Sequence, residues 1–311
     1  MTSAMVISPA TTVRVPAKVN LELLVGPPRA DGFHSLSTVY QAVSLYDEVT
    51  VQDADEWSLT CGGPYGHLVP TDDTNLALRA ARALAEHAGI DTPLDIAVRK
   101  EIPVAGGMAG GSADAAGTLA AVDAHWGLRT PREELEAIAA SLGSDVPFLL
   151  HGGTVMGSGR GELLAPVLAR GSFHWLFVLS REGLSTPTVF RELDRLRGTL
   201  EVPEPVPSPG MMAALRSGDT EMLAAVLTND LQEAALSLRP NLRETLEAGM
   251  GFGALGGLVS GSGPTVAFLC AGHEAALDLA VAFAASGDEY EIVRATGPVP
   301  GAQVVPVAKG L

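Results

Sequence analysis

Apolar and polar positions alternate along residues 12–25 (TVRVPAKVNLELLV), a Val- and Leu-rich run. It predicts a strand with Pro16 at a bulge or edge. PPRADG at 27–32 is a turn cluster, and 39–52 predict a further pair of strands. The period then changes. Residues 75–88 (NLALRAARALAEHA) carry apolar residues at helical spacing behind Thr74, which suits an N-cap. LDIAVR at 94–99 predicts a strand. Helices are predicted over 112–125 and over 132–141, the second ending at Gly143. A glycine-rich hairpin occupies 153–168 and a new strand 174–180. A short helix follows Thr186-Pro187, because proline suits the first helical turn. EVPEPVPSPG at 201–210 holds four prolines and reads as a stiff connector. Helices over 210–227 and 239–249 precede strand 255–260, loop 261–264, strand 265–270, helix 273–286 and a strand over 290–295.

Strands and helices do not alternate regularly, so the pattern predicts an α+β protein and not a doubly wound sheet. A chain of 311 residues exceeds one ordinary core. Two domains are expected, 1–168 and 169–311, with the boundary near 165–172.

Composition narrows the function. Asp and Glu outnumber Lys and Arg by 36 to 20, a net charge of −16, which argues against coating a nucleic acid. One anionic small molecule held by local donors stays possible. The seven histidines form no close pair, which argues against a histidine metal site. Cys61 and Cys270 fit no zinc or disulfide spacing and read as two buried small apolar residues. The opening MTSAMVISPATT has no apolar leader segment. Residues 248–272 are uncharged but include eight glycines and Pro264, so they read as strand, loop and strand and not as a membrane span. A cytoplasmic protein, monomer or homodimer, without membrane or nucleic-acid partners is expected.

No Gly-Lys dipeptide exists for a Walker A loop, and GxSxG and HExxH are missing. No GxGxxG follows a strand and opens a helix. What stands out is PVAGGMAGGSADAA at 103–116. Glycines there let backbone N–H groups curl round an anion, and the helix behind adds its positive end. A flexible loop before a Ser112-capped helix fits the composition equally well. Lys18 lies among apolar neighbours and needs an anionic partner; Asp145, in GSDVPFLL, needs a cation. Taken alone, that pairing is better explained as a structural salt bridge.

Three segments change this balance. PVAGGMAGGSADAA resembles the central phosphate loop of the GHMP kinases, the family of galactokinase, homoserine kinase and mevalonate kinase. VPAKVNLELLV at 15–25 resembles their first motif and GLVSGSGPTVAFL at 257–269 their third. DGFHSL at 31–36 and GSDVPFLLHGGTVMGSGRGE at 143–162 resemble the branch whose substrate carries a cytidine diphosphate. The resemblance spans residues 12–295. It implies a two-domain GHMP fold with the site between domains, MgATP as phosphoryl donor, and a small-molecule alcohol as acceptor. It implies Lys18 and Asp145 as the catalytic pair. Asn20, Phe33, His34, Thr186 and Phe190 would bind substrate. Asn75, Lys100, Pro103, Gly106, Gly107, Gly110, Gly111, Ser112 and Ala113 would bind nucleotide. The turn from Ser260 to Gly263 would lie beside the site. No carboxylate is identified for magnesium, and His151 and Trp175 are read as structural. The alternatives are a kinase of homoserine, mevalonate or a sugar, and a catalytically silent GHMP-like binder.

Overall fold

The first half of the chain is built round two long antiparallel strands, β1 (Thr11–Pro28) and β2 (His34–Asp53). A computed structural model describes residues 9–180, 183–286 and 290–306. The opening residues read above as lacking a leader fall largely outside that range. β1 is buried along most of its length, with Val13, Val15, Ala17, Val19 and Leu21 fully inside. The pair of strands expected over 39–52 is one strand. Pro16 opposes Tyr46 while Ala17 opposes Val43, so an irregularity in register stands where a break was expected.

Next come β3 (Ser58–Gly62), α1 (Leu76–Ala88), β4 (Leu94–Arg99), α2 (Gly110–Trp126), α3 (Arg132–Leu142) and α4 (Val146–His151). The hairpin β5 (Thr154–Ser158) and β6 (Leu163–Pro166) follows as expected. The remainder contains β7 (Phe173–Leu179), α5 (Thr186–Arg197), α6 (Pro209–Ser217), α7 (Thr220–Ala224), β8 (Thr228–Asn229), α8 (Gln232–Leu238) and α9 (Asn241–Gly251). It closes with β9 (Gly256–Val259), β10 (Val266–Cys270), α10 (His273–Ala285), β11 (Glu291–Gly297) and β12 (Gln303–Val304).

Two corrections have plain causes. Asn75, not Thr74, caps α1, because its side chain accepts from Ala77 N. The helix expected over 210–227 breaks at left-handed Gly218, and Asp219 caps a new helix by accepting from Met222 N. The proline-rich connector at 201–208 forms no regular structure, as expected.

Strands order as β12-β1-β2-β4-β3 in one sheet, with β5 and β6 beyond β2 and β8 parallel to β1. The second sheet is antiparallel, β11-β7-β10-β9. β8 and β12 thus return to the first sheet from late in the chain. Trp175 is fully buried and donates to Gln41 Oε1 at 2.9 Å, joining the two sheets. Cys270 is buried, whereas Cys61 is only half-buried; both are free thiols. Among the described residues no helix is long and apolar enough to cross a membrane.

Candidate active site

Between its short pairings with β12 and β8, β1 receives the glycine loop. Lys18 N donates to Met108 O at 3.3 Å. The loop turns sharply there, with Ala105, Gly107 and Ala109 all at positive φ. A Cβ at Gly107 would come within 2.0 Å of Ser260 O, so only glycine lets the third motif press on the loop. Ser260 Oγ also donates to Gly107 O at 3.1 Å. Behind them Asn229 holds the turn, its amide donating to Val259 O and Gly261 O at 2.7 Å each.

The result is a cleft of about 720 Å³. It is lined by Lys18, Asn20, Phe33, His34, Asp145, Thr186 and Phe190, and by Gly106, Gly107, Gly110, Gly111 and Ser112. Ala109 caps α2 without any side-chain bond, so the first-turn N–H groups of that helix open into the cleft. Ser112 lies within the first turn and is not the cap. This lining suits a phosphate chain. Among the described residues no three His, Cys, Asp or Glu lie close enough to hold a metal ion by themselves.

Lys18 is buried, and its Nζ donates to Asn20 Oδ1 at 2.5 Å and stands 4.0 Å from Asp145 Oδ2. Burial lowers its pKa below the usual lysine value, and the Asp145 charge opposes that shift. Asn20 in turn donates to Thr38 Oγ1 at 2.8 Å. Asp145 occupies the cap position of α4 but makes no cap bond, which leaves its carboxylate for the cleft. The other end is aromatic. His34 and Phe190 stack with centroids 5.1 Å apart, and His34 Nε2 lies 2.9 Å from Asp194 Oδ1. Phe33 is half exposed, with the Arg160 guanidinium 4.9 Å from its ring centre. The two aromatics expected to bind substrate therefore differ in place: Phe190 covers His34, and Phe33 stands at the mouth. Thr186 opens α5 and meets Ser262 at 2.9 Å, oxygen to oxygen.

Four expected nucleotide residues lie elsewhere. Lys100 is 1% exposed, and its ammonium bonds Asp47, Asp114 and Gly110 O beneath the loop. These three bonds satisfy its ammonium, so it supports the loop and does not line the cleft. Asn75 spends its amide on the cap and on Pro70 O at 2.7 Å. Pro103 is buried under Gly106, and Ala113 is sealed in α2. His151 bonds Gly152 O at 3.0 Å, next to it in the chain. Tyr40, Asn229 and Asp194 belong to the site or its frame and carry no sequence signal, since each is an ordinary polar residue within a strand or helix.

Residues 75–153 match the GHMP kinases N terminal domain and 211–289 the GHMP kinases C terminal domain. Together with the glycine loop and the Lys18–Asp145 pair, these matches define a GHMP kinase. A 4-diphosphocytidyl-2-C-methyl-D-erythritol kinase of Mycolicibacterium smegmatis is 57% identical over 96% of this chain and 93% of its own. One of Streptomyces coelicolor is 55% identical over 95% and 99%. A crystal structure of 4-(cytidine 5'-diphospho)-2C-methyl-D-erythritol kinase superposes with TM-score 0.74 at 33% identity, covering 91% of this chain and 98% of that one. A homoserine kinase from Cytophaga hutchinsonii, at 19% identity and TM-score 0.75 over 98% of this chain and 99% of its own, shares the fold. The chain belongs to the 4-diphosphocytidyl-2-C-methyl-D-erythritol kinases within the GHMP kinase family.

Proposed function

We propose that the cleft transfers the γ-phosphoryl group of ATP to the 2-hydroxyl of 4-diphosphocytidyl-2-C-methyl-D-erythritol. This places the enzyme in the non-mevalonate synthesis of isoprenoid precursors. The observation that carries the reading is the Lys18–Asp145 pair facing the free N-terminus of α2 across one cleft. The relatives named above supply the substrate class.

The substrate hydroxyl oxygen attacks the γ-phosphorus in line while the bond to the ADP oxygen breaks. The hydroxyl proton passes to Asp145 and then to water. Lys18 polarises the attacked hydroxyl. The loop N–H groups and the Ser112 hydroxyl hold the phosphate chain. Magnesium would come with ATP; the Ser112 hydroxyl is the side chain that would hold it, and the ion would neutralise charge on the phosphate chain. Asn20 holds the erythritol end, Thr186 the polar wall, and Phe33, His34 and Phe190 the cytosine. We place the ATP loop and catalytic pair in a domain of residues 1–168 and the second domain in 169–311. The enzyme works in the cytoplasm as a monomer or homodimer.

An ADP-release assay with MgATP and the cytidyl substrate, beside homoserine and mevalonate, tests this. Turnover with the cytidyl substrate alone, lost in Asp145→Ala, is expected. Turnover with homoserine or mevalonate instead would remove the aromatic end from the argument. ATP binding without turnover on any substrate would leave a silent binder.

A further inference from the structure

Tyr40 on β2 is 2% exposed, yet its hydroxyl reaches the cleft and donates to Asp145 Oδ1 at 3.0 Å. Lys18 stands beside the other carboxylate oxygen, Oδ2, at 4.0 Å. We propose that Tyr40 is a positioning residue for phosphoryl transfer: it commits one oxygen of Asp145 and leaves the oxygen beside Lys18 to receive the substrate hydroxyl. This rests on the roles given to Lys18 and Asp145 above.

The phenol has one place to be. Its ring stacks on Phe148, centroids 4.8 Å apart and planes 22° from parallel. Two glycines of the β5–β6 hairpin lie against it. A Cβ at Gly157 would come within 2.7 Å of Tyr40 Cε2, and one at Gly161 within 2.3 Å of the hydroxyl oxygen. Only glycine at these two positions leaves room for the ring and its hydroxyl. The Lys18 ammonium lies 5.9 Å from the centre of the same ring.

The charged groups round the hydroxyl come from three further elements. Lys18 reaches it from β1 and Asp145 from the start of α4. Glu162, from the β5–β6 turn, is paired to Arg160 at 3.5 Å. Burial, and then the Asp145 charge, pushes the phenol well above the ordinary tyrosine pKa, so it stays protonated and keeps donating.

A free carboxylate turns about its Cβ–Cγ bond and presents either oxygen at many angles. With one oxygen pinned, the other has a direction, and small errors in that direction are expensive in rate. A hydrogen bond donated to the charged form also favours ionisation.

Tyr40→Phe removes the hydroxyl and keeps the ring. In the ADP-release assay with MgATP and the cytidyl substrate, kcat should fall about 10- to 100-fold. The KM values should hold, and the acidic limb of the kcat/KM–pH profile should move to higher pH. Gly161→Ala crowds the hydroxyl, so it should move the limb the same way, and should add no further shift on top of Tyr40→Phe. An unchanged kcat and profile in Tyr40→Phe overturns the proposal. So does a fall in kcat with an unmoved acidic limb, which is what a packing role alone produces. A limb shift from Gly161→Ala that persists in the Tyr40→Phe background overturns it too. Silence of the wild-type enzyme with this substrate overturns both this and the reading beneath it; an active wild type with an unaltered variant overturns Tyr40 alone.

Discussion

Lys18 and Lys100 are both buried lysines beside aspartates, on opposite sides of one glycine loop. Lys100 is saturated. Asp47 holds it at 2.5 Å and Asp114 at 2.9 Å, with Gly110 O at 3.1 Å. Its pKa is raised, because the two carboxylates outweigh the cost of burial. Lys18 is under-partnered: one carboxylate at 4.0 Å and an asparagine oxygen. Its pKa is lowered, because burial outweighs Asp145. Full satisfaction makes a support, and incomplete satisfaction facing a cavity leaves chemistry to do. The two lysines are joined through the loop, since Lys100 ties down the start of α2 and Lys18 N receives the loop at Met108 O.

The comparison breaks first at the support. Lys100→Met leaves the buried Asp47–Asp114 pair without its cation, and stability should drop by about 3–5 kcal/mol. The urea midpoint reads this; a drop below about 1 kcal/mol would make Lys100 no support.

A pH effect follows from the same cluster. Burial, partly offset by Lys100, pushes Asp114 up to about 8. Between the ordinary aspartate range and that value, the folded protein holds a proton that the unfolded chain releases. Stability therefore falls as pH rises through that window. Urea midpoints across it should decline in the wild type and flatten in Asp114→Asn.

Asn75→Ala gives the smallest effect. Loss of the α1 cap costs about 1 kcal/mol. The KM for ATP stays unchanged in a saturation curve, and a large rise there would return Asn75 to the nucleotide.

The two lysines also show where sequence reasoning stops. Lys18, Asp145 and the clustered glycines were legible because each is costly in its setting unless something pays for it. Lys100 was tied to the nucleotide by the resemblance alone, and nothing in its neighbours signals burial. Its partners Asp47 and Asp114 come from β2 and α2, 53 and 14 residues away, and only the fold brings them in. Tyr40 is 105 residues from Asp145, and a tyrosine within an apolar strand reads as core. Asn229 follows a run that reads as helix, and only its amide bonds to the third motif reveal it. Element types along 75–166 were largely legible, since period and glycine placement are local. The unbroken β2 was not, because a register irregularity mimics a chain break when partners are unknown.

The most direct measurement is turnover and melting temperature of Lys18→Met on one sample, using ADP release with MgATP and the cytidyl substrate. Lys18 is lowered by burial, so the folded state binds its proton less tightly than the unfolded chain does. That protein–proton linkage makes stability rise with pH from the lowered value up to the ordinary lysine range. Removing the ammonium should leave the fold at least as stable. Turnover should fall about 10²- to 10⁴-fold with the melting temperature unchanged or higher. Near wild-type turnover, or a loss of turnover that only follows a collapse in melting temperature, would make Lys18 a second structural lysine and contradict the account.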